Sequence, residues 1–333
     1  MGGPRLLIIG AGSVGKRHLK NFAQLGCEAA VVDPRADRRE EAVRLVPGVD
    51  AFANLEEALR GASPPAAAVI CSPPSYHVDQ TTRLVQQKIP VFLEKPMAMN
   101  ADSAARLAQA VLAAGVPVLV GYSYRWQAAL REFRRRLREG IVGAPRHVRG
   151  VMSAHLADWH PWERYQDFFM ARRELGGGAL LDESHLLDIV LWCFGMPQRV
   201  FASVERLSAL EINTDDCVDA WLAYEGGLRV WLHLNLFGRP HERSLTVTGE
   251  AGTLAWTAEP NAVRWSRAAA GGWEERTFAE ERNDMFLGAA REFLGLLRGE
   301  GQPTCTAEDG YRAMRVIEAM RASARAGAVV EVA

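Results

Sequence analysis

The sequence predicts an α/β chain: an N-terminal doubly wound parallel sheet, then an α+β domain built on a large, mostly antiparallel open sheet. Three observations predict it. The first 121 residues alternate short apolar runs with helix-like periods, as expected of strands buried on both faces of a parallel sheet. Gly10-x-Gly12-x-x-Gly15 stands between the first run and the first helical period. After Gly121 the pattern changes to alternating strands separated by glycine turns. A length of 333 residues suits two domains, which we place at 1–121 and 122–333.

In the first part, strands are expected at 5–9, 29–32, 66–71, 91–93 and 118–120. Helices are expected at 14–25, 36–46, 54–60, 77–88 and 101–114; Asn54 with Glu57 three residues later reads as a capping box. A helix over 127–139 carries Arg131, Arg134, Arg135, Arg136 and Arg138, read as a solvated face, with a phosphate patch as the alternative. There follow a strand near 146–152, an aromatic-rich loop and a helix near 182–193. Strands are then expected at 199–206, 217–224, 228–237, 243–248 and 253–256, turning at Glu225-Gly226-Gly227 and Gly249–Gly252. Helices over 284–298 and 308–326 close the chain.

Composition excludes several function classes. With 39 basic and 40 acidic residues, the net charge is −1, so neither nucleic acid nor an anionic membrane surface is an expected partner. Five scattered cysteines without a C-x-x-C pair exclude a disulfide framework and a zinc knuckle and suit a reducing compartment. No run approaches the length of a membrane span, and no leader-like segment opens the sequence. A cytoplasmic protein is expected.

The glycine pattern lies where a dinucleotide would sit. Gly10, Gly12, Ser13, Val14 and Gly15 follow a strand and open a helix, whose free N–H groups and dipole favour a pyrophosphate. Asp33, eighteen residues after Gly15, can bind the adenosine ribose and repel a 2′-phosphate, favouring NAD. Arg35 and Arg38 could tolerate NADP. Cys71-Ser72-Pro73-Pro74 ends the third expected strand, where ligands sit in such sheets; His77 could touch the cofactor or only pack its helix. Cys71 reads as a packing residue.

Glu94-Lys95-Pro96 follows the next strand, which places Glu94 and Lys95 among the expected cofactor contacts. A lysine beside a nicotinamide cation would have its pKa lowered toward a range useful for proton transfer; by itself a strand-end lysine is more often a surface charge. Gly176-Gly177-Gly178 precedes a helix bearing His185, with Asp182 three residues before and Asp188 three after, on one helical face. The glycines could let backbone approach a ligand. A carboxylate on one ring nitrogen would orient the imidazole as a base; alternatively, Asp182 only caps the helix.

Together these motifs, with Gly121-Tyr-Ser-Tyr124-Arg125 and Val247–Gly252, resemble the Gfo/Idh/MocA (glucose–fructose oxidoreductase/inositol dehydrogenase) family over essentially the whole chain. The resemblance implies a Rossmann NAD(P)-binding domain and a sheet domain for substrate binding and oligomerisation, as a homodimer or homotetramer. It also implies oxidation or reduction of a sugar, cyclitol or related small molecule. Lys95 and His185 would flank the reacting carbon. Many members have an aspartate four residues before the histidine; Leu181 stands there, and Asp182 would replace it. Ser-His185-x-x-Asp188 with Asp158–Trp162 looks like a branch acting on sugar acids or amino sugars.

For the substrate, the candidates are Tyr124, Arg125, His160 and Arg172, since arginine can grip a carboxylate. The aromatic 155–173 segment could equally be a packed contact. His155, Asp158 and His160 lack a further well-spaced ligand, so no metal is expected. Two other functions remain open: an NAD-dependent glycosidase working by transient oxidation, and a non-catalytic nucleotide sensor.

Overall fold

The computed structural model describes residues 3–60, 64–159, 163–268 and 271–333. They form two compact units, one of residues 1–123 with 283–311, the other of 124–282 with 312–333.

In the first unit, β1 (Arg5–Ile9), α1 (Ser13–Gln24), β2 (Glu28–Val32), α2 (Ala36–Leu45), β3 (Asp50–Phe52), α3 (Leu55–Arg60) and β4 (Ala67–Ile70) come first. After them run α4 (His77–Gln86), β5 (Val91–Glu94), α5 (Ala101–Ala114) and β6 (Val118–Gly121). The six strands are parallel in the order β3-β2-β1-β4-β5-β6. The order reverses between β1 and β4, the switch point at which such sheets bind ligands. Strand β3 was not expected: at three residues with an exposed start, it offers no apolar run. Asn54 accepts the Glu57 N–H at 2.9 Å and donates to its carboxylate at 2.7 Å, and Glu57 accepts from the Ala53 N–H at 3.3 Å. This is a capping box displaced by one residue.

The second unit carries α6 (Ala128–Arg138), β7 (Pro145–Ser153), α7 (Ala179–Asp182), α8 (Ser184–Phe194), β8 (Arg199–Glu205), β9 (Cys217–Ala223) and β10 (Arg229–Asn235). Next come β11 (Glu242–Gly249), β12 (Gly252–Ala258), β13 (Asn261–Arg267) and β14 (Glu274–Thr277). The chain ends with α9 (Arg282–Leu297), α10 (Ala307–Ala326) and β15 (Val330–Glu331). The nine strands run β14-β13-β12-β11-β7-β10-β9-β8-β15. All pairs are antiparallel except β7–β10. Helix α8 packs on this sheet at Gly150, where an added Cβ would lie 3.1 Å from Leu186. The sequence reading lacks β13, β14 and β15; β14 is a wholly exposed polar edge and β15 is two residues long.

Residues 283–311, placed with the second part by sequence, cluster instead with the first unit. The reason is aromatic: Phe293 on α9 meets Phe22 and Phe92 edge-on, with centroids 6.3 and 5.8 Å apart. In α6, Arg131, Arg135 and Arg138 are exposed, as a solvated face requires, while Arg134 and Arg136 are half-buried. Arg135 and Arg136 bind Glu132 and hold its carboxyl at about 2, while Arg134 lies over Trp192 at 4.2 Å.

Candidate active site

The glycine turn joins β1 to α1. Gly10 has φ +94°, and a Cβ there would lie 2.7 Å from Cys71 and Ser72 backbone. A Cβ on Gly15 would run into the Gly10 carbonyl oxygen, so strand and helix can approach only with glycine there. A Cβ on Gly12 would meet only the Arg38 side chain, at 3.8 Å. The start of α1 has no side-chain cap and no acidic residue in its first turn. Space at Gly12 and unclaimed helix N–H groups fit the pyrophosphate of a dinucleotide. Ser13 and Val14 form the first turn of α1, Ser13 exposed and Val14 half-buried.

Buried Asp33 closes the turn: it accepts the Ala11 N–H at 2.8 Å and the Arg35 N–H at 2.9 Å. The two arginines differ. Arg35 donates to Asp37 at 3.1 Å, whereas Arg38 lies 3.9 Å from Asp33 and beside Gly12.

Of the expected cofactor residues, His77, Glu94 and Ser72 bond to the protein itself. Buried His77 places Nδ1 2.7 Å from the Pro96 carbonyl oxygen and Nε2 2.8 Å from that of Ser72. It latches the 71–74 loop to the Glu94–Pro96 loop. Burial pushes its pKa down against these two acceptors and Glu94, and the Lys95 charge adds to the fall. Glu94 pairs with buried His18 at 2.7 Å. Cys71 is pushed well up by burial and by Glu94, so its thiol stays inert. Ser72 donates to Gln80 at 2.6 Å, Pro74 is buried, and Pro73 precedes the short helix that leads to His77. Lys95, half-buried, follows the last residue of β5 at the carboxyl end of the sheet.

In the second unit, the second glycine run makes room for the chain rather than for a ligand. Gly178 has φ +109°, and an added Cβ would strike Asp215 and Thr214; one on Gly177 would strike the Met170 and Phe169 carbonyls. Asp215 accepts the Leu180 N–H at 2.8 Å, satisfying the start of α7. The helix breaks at Glu183, which stands at the N-cap of α8. Asp182 therefore ends α7 and does not cap α8, and the shared helical face expected for Asp182 and His185 is interrupted. Asp188 shares α8 with His185, but both its oxygens accept from Arg125, at 2.9 and 2.7 Å.

That pair accounts for Arg125: at 2 % exposure, its guanidinium holds α8 through Asp188. Arg172 is exposed and 3.6 Å from Asp167. The Tyr124 ring lies edge-on to His185 at 5.1 Å and to Trp256 at 6.0 Å. His160 lies outside the described residues.

Sequence reasoning missed His18 and Asp215, whose partners Glu94 and Leu180 lie far along the chain, and His241 and Arg243, which face a cavity. Arg243 carried one signal, a cation in phase with Leu245 and Val247 on β11. Among the described residues, one group has metal-ligating geometry: Cys217, Asp219 and His233, in which His233 bonds Asp219 at 2.8 Å across β9–β10.

Fold and site define a class: NAD-binding oxidoreductases with a parallel nucleotide domain and an open-sheet domain. Residues 5–122 match the oxidoreductase family with NAD-binding Rossmann fold, and residues 130–255 match the Gfo/Idh/MocA C-terminal domain. The chain belongs to the Gfo/Idh/MocA family. It is 24% identical to D-apiose dehydrogenase of Paraburkholderia graminis over 97% of this chain and 88% of that one. To inositol 2-dehydrogenase of Burkholderia multivorans it is 25% identical, over 98% and 95%. The WlbA dehydrogenase of Bordetella pertussis, solved with NADH and UDP-GlcNAcA, shares the fold with a TM-score of 0.83 at 24% identity, covering 100% of this chain and 99% of that one. Among the described residues no helix is long and apolar enough to cross a membrane.

Proposed function

We propose that this protein is an NAD(P)-dependent dehydrogenase acting on a CH–OH group of a sugar, cyclitol or sugar-acid derivative. The observation that carries the reading is Lys95, leaving the carboxyl end of β5 in a sheet whose glycine turn fits a dinucleotide. Relatives named as apiose and inositol dehydrogenases support the substrate class.

Asp33 and the N-terminus of α1 bind the nucleotide, and Asp33 favours NAD; Arg38 beside Gly12 leaves NADP usable. The nicotinamide, when bound, supplies the hydride acceptor. His185, its ring position limited by the edge of Tyr124, takes the hydroxyl proton in the oxidative direction. Asp182, buried at the helix break, orients it. Lys95 polarises the same oxygen and relays the proton.

We assign a homodimer or homotetramer to the open sheet face. Phe201, Trp221 and Trp231 stand opposite one another across β8, β9 and β10, and Phe201 and Trp231 are exposed. Five free thiols support a reducing, cytoplasmic setting.

The test is NADH formation across a panel of sugars, inositols and sugar acids with NAD present. Stoichiometric NADH with one of them is expected. Aglycone release without net NADH would instead indicate a glycosidase, and tight NADH binding without turnover on any of them a sensor.

A further inference from the structure

Strand β11 puts a cation where the sheet's alternation calls for an apolar side chain. Arg243 stands opposite buried Met152 of β7 and in phase with fully buried Leu245 and Val247. A guanidinium on a covered face normally finds a carboxylate or carbonyl, because leaving it unpaired is costly. Among the described residues no hydrogen bond or ion pair holds Arg243; Tyr124, Glu183, Glu259 and Asp182 act on it only through their charges. Two residues earlier, His241 has a buried Nε2 with no partner. Both line a cavity of about 100 Å³, with Glu242, Ser244, Thr257, Ala258 and Glu259 also in its wall. That volume holds a carboxylate and a water or two.

We propose that Arg243 and His241 form an anion subsite that takes the carboxylate of a sugar acid. The proposal rests on the dehydrogenase reading and names its substrate class. The planar fork of Arg243 matches the two oxygens of a carboxylate, and His241 Nε2 supplies a further donor in its Nε2–H tautomer. Glu259 and the exposed Glu242 oppose an anion in the same wall; both stand beyond ion-pair reach of Arg243, and Glu242 accepts from Ser244, so the fork remains open to a ligand. The subsite adjoins the chemistry through Tyr124, which feels the Arg243 charge and packs on His185. A neutral polyol would leave the fork without its counter-charge, which is the basis for discrimination.

The test is equilibrium binding to NADH-loaded protein of two matched pairs, D-glucuronate against D-glucose and D-galacturonate against D-galactose. At least one acid should bind roughly 10- to 100-fold more tightly than its neutral partner. Arg243→Gln should erase that preference while leaving the neutral sugar and NADH affinities unchanged, and Arg243→Lys should keep part of it. Three results overturn the subsite: no preference for either acid, no binding of either acid, or equal losses for acid and neutral sugar in Arg243→Gln. Because binding is read without turnover, an acid that binds through Arg243 but never reduces NAD would refute the dehydrogenase reading and leave the subsite standing.

Discussion

The two glycine runs of this chain look alike in sequence and do different work. At 10–15 the glycines bring β1, α1 and the Cys71 loop together, and Gly12 alone faces open space at an uncapped helix start. At 176–178 the second and third glycines press against the protein's own Met170, Thr214 and Asp215. The first run is shaped for a ligand, the second for a helix break that sets His185 in place. A glycine motif thus declares a close approach, and only the three-dimensional neighbours say what approaches.

Substitutions can break or sharpen that contrast. The largest effect is expected at Gly178→Ala, where the left-handed φ and the clash with Asp215 together should cost about 3 kcal/mol or more. Urea unfolding should show the loss; a stability within about 1 kcal/mol of the parent would mean that the run is not packed as described. Asp188→Ala should be of comparable size. It strands the buried Arg125 guanidinium, and unfolding should register a loss of about 3–5 kcal/mol, far above the roughly 0–1 kcal/mol of a surface pair.

Gly12→Ala should leave stability nearly unchanged yet weaken NADH binding by roughly tenfold or more, since the new methyl occupies the approach to the helix N–H groups. Fluorescence titration of NADH checks it, and undiminished affinity would remove the contrast. The smallest effect concerns pH. His77 has a folded pKa below its ordinary 6.5, so its contribution is complete above that value and lost as pH falls through the folded pKa. Melting temperature should therefore drop on acidification below about 6.5, with a shallower slope in His77→Gln.

Much of the frame was legible because it is local. Strand 5–9 and helix 101–114 coincide with β1 and α5, since an apolar run and a helical period need no distant partner. The positions of Lys95 and Asp33 followed from the same logic. What sequence could not supply depends on pairing across the chain. Arg125 reads as a substrate grip until Asp188, sixty-three residues on, accepts from its Nε and one Nη with both carboxylate oxygens. His77 reads as a ligand contact until two carbonyls claim its ring. Arg243 passes unnoticed because a lone arginine in a strand is ordinary until its face is known to be covered.

The central claim is that Lys95 serves the chemistry and not the binding of the nucleotide. The most direct measurement compares turnover on a substrate identified from the panel with NADH affinity in Lys95→Ala. The account predicts turnover lower by ~10²–10⁴ with an NADH dissociation constant shifted by less than roughly threefold. Unchanged turnover, or a loss of NADH binding as large as the loss of turnover, would contradict it.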